Sequence, residues 1–364
     1  MNEPKTLKLA VAFAALVLIV LIGLWVVRPD RAESPVPITP AQEEPPPSVS
    51  PPVVAPRHTP DPILVAADED AETNALALPR DKVEEYLGRH RRSAASLLAA
   101  YWAMQDTNLL NEAAANFPND PQVQWAMLTS ENLRGEDRRK WLEAFKASSP
   151  DNSLAYYLSA AEHFKTGDRA TALSEIAAAS GKGLFKDYAL ESMIDEQELR
   201  RASGQSAMLA MHGNGWSAAL LQELAPMKAV ANGVADAQQQ LKDSGDAAGA
   251  ENLVQMGLTL SGRLNGSEGN KFVIGELVGN AIESRMLAAL EPNTPYDSLG
   301  GKTPTQRKEE MQQAKAAQRE LMNVLPEAYG VLNEAEWASY SDRLKTFGER
   351  EALKWLKQRV EAAK

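Results

Sequence analysis

A segment of high proline density divides the chain: about one residue in three between Pro29 and Pro62 is proline. Each proline fixes φ and removes a backbone donor, so this segment cannot enter a helix interior or the ladder of a sheet. We expect residues 28–78 to form an extended, disordered tether that contains the acidic run 68–72 (Asp-Glu-Asp-Ala-Glu) near its end. A folded domain therefore has to come from the residues after the tether.

An uncharged apolar run precedes the tether, beginning at Leu9 and ending at Val27. As a helix it would be about 28 Å long, close to the hydrocarbon thickness of a bilayer. A cleaved signal peptide would have a shorter apolar region and a small-residue cleavage site. This run instead ends in Trp25-Val26-Val27-Arg28-Pro29. Residues 9–27 are therefore predicted to be a transmembrane anchor, with residues 1–8 as a short tail.

The charges that flank the anchor are nearly balanced, because Lys5 and Lys8 precede it and Arg28 and Arg31 follow it. The short N-terminal tail and its free amino group favour a cytoplasmic N-terminus. We therefore expect the main domain to be extracytoplasmic, on the periplasmic side of a bacterial inner membrane.

Composition limits the functions open to the domain. The chain carries a net charge of −11, of which the anchor and tether contribute −5, so the remainder holds −6. This balance argues against nucleic-acid binding, which needs clustered positive charge. The chain has no cysteine, which excludes disulfides, thiolate metal sites and a cysteine nucleophile.

From residue 79 onward the apolar residues recur with helical spacing, and Gly, Pro and Asn-Asp turns interrupt them. Two such turns contain Pro118 and Pro150. The interval between these turns is close to the helix–turn–helix unit of about 34 residues that is typical of an α-solenoid. The pattern contains no strand, so the predicted class is all-α.

The residues after Pro150 resemble a tetratricopeptide repeat (TPR). Ala155-Tyr156-Tyr157-Leu158 is followed by Ala160, by the turn Gly167-Asp168 and by Ala172-Leu173. In that family small and aromatic residues interlock two helices, and a Gly-Asp turn joins them. The unit before it, from Leu97 to Phe117, is similar in a looser form. The resemblance covers about a quarter of the chain and implies a fold, with function only by analogy.

Three helical regions are predicted beyond the tether. Residues 79–203 are read as TPR-like repeats, residues 204–292 as further helical repeats and residues 305–364 as C-terminal helices, with a Gly/Pro loop before the last region. The last region has apolar residues spaced along one helical face, which predicts buried packing. They are Trp337, Tyr340, Leu344 and Phe347, continued by Leu353, Leu356 and Val360.

Motifs that would carry chemistry are not convincing. Gly301-Lys302-Thr303 is similar to the end of a phosphate-binding loop, but position 296 is Tyr where that loop needs glycine, and a helix is predicted before it. The histidines His58, His90, His163 and His212 are scattered singly, and His163 is read as a packing residue. We therefore predict no catalytic, cofactor-binding or metal-binding residue and no cofactor, and we expect that the protein is not an enzyme.

The leading functional hypothesis is a membrane-anchored helical scaffold that binds another protein or peptide, for example in envelope assembly. The binding surface is expected between Tyr101 and Phe164, because stacked helical repeats create an extended concave surface. The alternative is a structural spacer or self-associating envelope protein, a homo-oligomer formed through the aromatic C-terminal helices. A third reading, an enzyme whose site is assembled from distant residues, stays open.

Overall fold

The computed structural model of the chain describes residues 77–130, 133, 135–211, 215–265 and 271–364, with the backbone only for residues 215–223. These residues form α-helices joined by turns and contain no β-strand, so the predicted all-α class is confirmed for this part of the chain. In chain order the first helices are α1 (Arg80–Arg89), α2 (Ala94–Met104), α3 (Thr107–Asn116), α4 (Pro121–Leu128), α5 (Gly135–Ser148), α6 (Ser153–Lys165), α7 (Arg169–Ser180) and α8 (Ala189–Ala202). They are followed by α9 (Ala207–Met211), α10 (Gly215–Asp243), α11 (Ala247–Leu264), α12 (Val273–Ala288), a 3-10 turn (Asp297–Leu299), α13 (Pro304–Met322), α14 (Val324–Ala328), α15 (Glu334–Phe347) and α16 (Glu349–Ala362).

The predicted anchor, residues 9–27, and nearly all of the predicted tether lie outside the described residues. Within the described ranges, no helix combines the length and the apolar character needed to cross a bilayer. The anchor therefore stays a prediction from the sequence.

Local capping groups determine where the helices of the repeat region begin. Asp120 caps α4, with Pro121 in its first turn, and the Asn152 side chain caps α6. Gly167 turns the chain with a φ of +80°, and Asp168 then caps α7. A side-chain acceptor at each start satisfies backbone donors that a helix leaves unpaired. The helices begin at the turns from which the sequence predicts them.

The helix pair α6–α7, which carries the best TPR resemblance, packs closely. Ala160 of α6 and Ala172 of α7 are both completely buried. A methyl side chain at such positions lets two helices approach each other more closely than a branched side chain would.

Later helices return to the first repeats. Helix α8 packs along α2 and also contacts α1, while the 29-residue α10 packs against α2, α6, α8, α11 and α12. Tyr101 is only 6% exposed. Phe164 lies against Gly233 of α10, where an added Cβ would be 2.5 Å from Cζ of the ring. The two residues at the ends of the predicted binding region, Tyr101 and Phe164, therefore pack within the chain.

A buried ion pair holds the end of α8 against α2. Nε of Arg200 donates to Oε1 of Glu196 at 2.8 Å, and the two side chains are 5% and 1% exposed. One Nη of Arg200 reaches the carbonyl of Ala103, at the end of α2, at 3.4 Å. A buried charge pair of this kind is sensitive to the loss of either partner.

The C-terminal helices form a hairpin whose core was largely predicted. Six residues of the predicted face are buried: Trp337, Tyr340, Leu344, Leu353, Leu356 and Val360. The prediction for Phe347 is wrong, because its side chain is 59% exposed. Phe347 is the last residue of α15, and Gly348 turns the chain with a φ of +85° directly into α16. No further turn of α15 extends the packed face beyond Leu344.

Candidate functional site

Gly301-Lys302-Thr303 and His163, which were considered in the sequence, both have structural roles. Nζ of Lys302 is 2.6 Å from Oε1 of Glu310, and Thr303 caps α13 in a capping box with Gln306. Lys302 and Thr303 thus take part in contacts with the start of α13. The prediction of His163 as a packing residue is wrong: Nδ1 is 3.3 Å from Oδ2 of Asp168, and the side chain is 31% exposed.

Among the described residues, no group of three or more His, Asp or Glu side chains is arranged to hold a metal ion. His58 and His212 lie outside those residues. His90 stacks on Tyr86, with ring centroids 4.1 Å apart.

One buried carboxyl group is electrostatically unusual. Asp187 is 3% exposed, and its Oδ1 accepts the Ala189 amide at the start of α8. Its Oδ2 has no hydrogen-bond partner. Burial raises the pKa of Asp187 from 3.8 to about 7, and the neighbouring charge of Glu191 adds to the effect. The ionised group therefore opposes folding and touches no open surface.

Replacing Asp187 with asparagine is expected to stabilise the protein at pH 8 by about 1–3 kcal/mol, the cost of leaving a buried polar group uncompensated. The folded-state pKa lies above the unfolded value, so the native carboxyl group favours folding below pH 4 and loses this contribution as the pH rises to about 7. Thermal unfolding of both proteins from pH 4 to pH 8, followed by circular dichroism, measures the difference. Asp137→Asn, at an exposed carboxyl of α5, is the control. An Asp187→Asn effect that is constant with pH would contradict the assignment.

Four residues of the α15–α16 hairpin are grouped here as the seam: Arg343, Phe347, Trp355 and Arg359. The guanidinium carbon of Arg343 lies 5.0 Å from the centroid of the Trp355 ring, and that of Arg359 lies 6.0 Å from it. Both cations are within the range of cation–π attraction to an indole. The seam therefore has a partly buried indole ring between two positive charges.

The two arginines of the seam differ in their partners. Nε of Arg359 is 3.1 Å from Oε1 of Glu336. Arg343 has no carboxylate within ion-pair distance among the described residues, and its buried Nε has no hydrogen-bond partner. A guanidinium has five donors in a fixed fork that matches a carboxylate. Arg343 therefore retains the capacity to bind an anion beside the indole.

Phe347 extends the seam with apolar surface. It lies four residues beyond Arg343, so the two side chains share one face of α15. Among the described residues, two large apolar side chains are exposed, Val331 at 41% and Phe347 at 59%. Exposed aromatic surface next to arginine is enriched in protein interfaces.

Buried contacts with α12 hold the seam in place. Oε2 of Glu349, the first residue of α16, accepts the Val273 amide at 2.7 Å, and its own amide donates to the Lys271 carbonyl at 2.8 Å. Arg350 pairs with Glu276 of α12, which also accepts from Gln318 of α13 at 3.0 Å. These bonds attach the start of α16 to the start of α12.

Sequence reasoning treated Phe347 as core and did not single out Arg343, Trp355 or Arg359. The available signal was the spacing of Arg343 and Phe347 on one helical face. It was not informative by itself, because arginine is common on solvated faces.

A comparison of the chain with protein-family models, with curated proteins and with solved structures finds no match. The resemblance to tetratricopeptide repeats therefore continues to rest on the residues of the repeat itself.

Proposed function

We propose that the chain is a membrane-anchored helical scaffold, an α-solenoid of TPR-like pairs with C-terminal helices, that holds another protein or peptide outside the cytoplasm. The seam is its docking surface, in place of the region between Tyr101 and Phe164, whose end residues pack within the chain. The observation that carries the proposal is Arg343: it has no carboxylate partner in the described chain and lies beside the partly buried Trp355. The predicted anchor and tether would keep this surface near the membrane.

The chemistry of the seam favours binding over catalysis. Guanidinium groups donate hydrogen bonds and accept none, so they hold an anion and take no proton from a substrate. Trp355 and Phe347 offer apolar and π surface. The carboxylate beside the seam, Glu336, is bonded to Arg359. These groups suit recognition of a segment that has acidic and apolar side chains next to each other.

A photo-crosslinking residue in place of Phe347 tests the proposal in living cells with the full-length protein. We expect a crosslinked adduct with another protein, because this position is 59% exposed at the end of the seam. The same residue in place of Gln313, on the exposed side of α13, is the control for random encounter. A strain that expresses only residues 1–78 identifies what the anchor and tether bring down.

The crosslinking experiment is interpreted by whether the adduct depends on the positive charge of Arg343. Arg343→Glu in the crosslinking protein should abolish the adduct, because it reverses the charge that faces the partner. An adduct that survives Arg343→Glu, or that forms equally at position 313, would exclude the seam as the docking surface.

The exposure of Phe347 also favours the alternative, self-association through the C-terminal helices. A two-fold contact at this surface would bring the arginines of two copies together, which opposes it electrostatically. Sedimentation of the full-length protein in detergent, with Phe347→Ser as the comparison, distinguishes the two. A dimer that dissociates in Phe347→Ser would favour the spacer function, and a monomer at all concentrations would exclude it.

A further inference from the structure

We infer that the turn between α1 and α2 binds the phosphate groups of an anionic lipid surface through Arg89 and Arg91. The inference rests on the proposed function in one respect, since it takes the chain to be anchored in a membrane. It goes beyond that function, because it assigns a second surface of the domain, one that sets how the domain is oriented on the membrane.

The backbone of this turn is strained at two positions. Arg91 and Arg92 have φ values of +54° and +48°, in the left-handed region where a side chain carries a steric cost. Arg91 directly follows His90, the C-cap of α1, at a position where helices commonly have glycine. A residue that the surrounding structure holds in such a conformation points to a function.

The strain at Arg92 has a reason within the chain. Nε and one Nη of Arg92 each donate to Glu112 of α3 at 2.6 Å, and the other Nη donates to Glu84 of α1 at 2.8 Å. The amide of Arg92 also donates to the Leu87 carbonyl at 2.9 Å. These bonds join α1 to α3 and hold the turn in one conformation.

The side chains of Arg89 and Arg91 have no such partners. Both residues are exposed. The ion pairs of the turn are formed by Arg92 and by His90, whose Nε2 is 3.9 Å from Oε1 of Glu198. In the part of the chain that the structure describes, no carboxylate lies within ion-pair distance of Arg89 or Arg91. Two guanidinium groups on a fixed turn are therefore available to an anion.

The helix dipole explains only part of this arrangement. A cation near the C-terminus of a helix is favourable, and Arg89, in the last turn of α1, supplies it. The dipole does not require an arginine in the left-handed conformation at position 91, which glycine or asparagine adopts at lower cost. The side chain of Arg91 is therefore accounted for by a contact outside the described chain.

Lipid phosphate suits these groups and their place in the chain. A guanidinium binds two phosphate oxygens through parallel donors. Residues 79–364 carry a net charge of −6, so an anionic surface repels most of the domain and attracts it at an unpaired basic turn. Each basic residue adds only modestly to attraction by anionic lipid. The predicted anchor would keep lipid at a high effective concentration, so two arginines suffice to orient the domain.

The full-length protein reconstituted into vesicles permits a direct test, because the chain has no cysteine. Ala95→Cys, at an exposed position in the first turn of α2, carries a nitrobenzoxadiazole fluorophore, and lipids with a nitroxide on the headgroup quench it on contact. We expect quenching in vesicles of mixed phosphatidylglycerol and phosphatidylcholine. It should be lost in phosphatidylcholine alone and should weaken at high salt. Ala314→Cys, on the exposed side of α13, should not respond to lipid charge.

Substitutions in the turn separate lipid binding from a structural role. Arg89→Gln/Arg91→Asn should abolish the quenching at position 95, whereas Arg89→Lys/Arg91→Lys should retain it. Arg91→Asn alone should raise the midpoint of thermal unfolding, because asparagine tolerates the left-handed conformation. Arg139→Gln, at an exposed arginine of α5, removes a positive charge elsewhere and should leave the quenching unchanged.

Quenching that is equal in phosphatidylcholine alone, or that survives Arg89→Gln/Arg91→Asn, would overturn the inference. Retention of the protein in the vesicles after alkaline extraction tests the anchor separately. A retained protein without lipid-dependent quenching removes the lipid site and leaves the scaffold function standing, and an extracted protein removes the anchor and the lipid site with it. Lipid-dependent quenching without an adduct at Phe347 supports the lipid site and removes partner capture at the seam.

Discussion

Replacing Arg200 with alanine is expected to lower the free energy of unfolding by about 3–5 kcal/mol, the usual cost of leaving one member of a buried ion pair without its partner. Glu196 is 1% exposed, so water cannot solvate its carboxylate once the guanidinium is gone. The substitution also removes the hydrogen bond to Ala103 between α8 and α2. Urea unfolding of the full-length protein in detergent, followed by circular dichroism, measures the loss.

The double variant Glu196→Met/Arg200→Met separates the charge from the packing. Buried ion pairs replaced by apolar side chains of similar volume are often neutral in stability, so the double variant should regain most of the loss. A double variant as unstable as Arg200→Ala would show that the contacts of Arg200 with α2, rather than the buried charge of Glu196, dominate.

Replacing Gly233 with alanine is expected to destabilise the protein by about 1–3 kcal/mol, as overpacking of a close contact usually does. The added Cβ would be 2.5 to 2.6 Å from three carbons of the Phe164 ring, so the ring or α10 has to move. This contact joins α10 to α6. The midpoint of thermal unfolding of the full-length protein measures the effect.

Gly262→Ala is the matched control, because a Cβ at this exposed position of α11 meets nothing within 4 Å. There alanine should stabilise the helix by about 0.5–1 kcal/mol through its higher propensity. If the ring causes the loss at Gly233, the loss should shrink in a Phe164→Ala background. An equal loss with and without the ring would place its origin elsewhere in α10.

The sequence determined those features whose causes lie within a few residues. Asp120, Asn152 and Asp168 fix the starts of α4, α6 and α7, because a cap bonds to amides two or three residues away. Gly245 lies in the link between α10 and α11 with a φ of +82°, a backbone conformation that glycine adopts without steric cost. The predicted C-terminal core was equally local, because the apolar spacing on one helix specifies its buried face.

Features that depend on distant segments were decided by the tertiary structure alone. Helices α8 and α10 return to α2 and α6, through contacts such as that of Arg200 with Ala103, 97 residues apart. Phe347 is exposed because α15 ends there, and Arg343 lacks a carboxylate partner among the described residues because of which helices pack around the hairpin. Helical periodicity specifies which face of a helix is apolar. Periodicity contains no information on which other helix packs against that face. The candidate site depends on that packing, because the packing determines which side chains stay exposed.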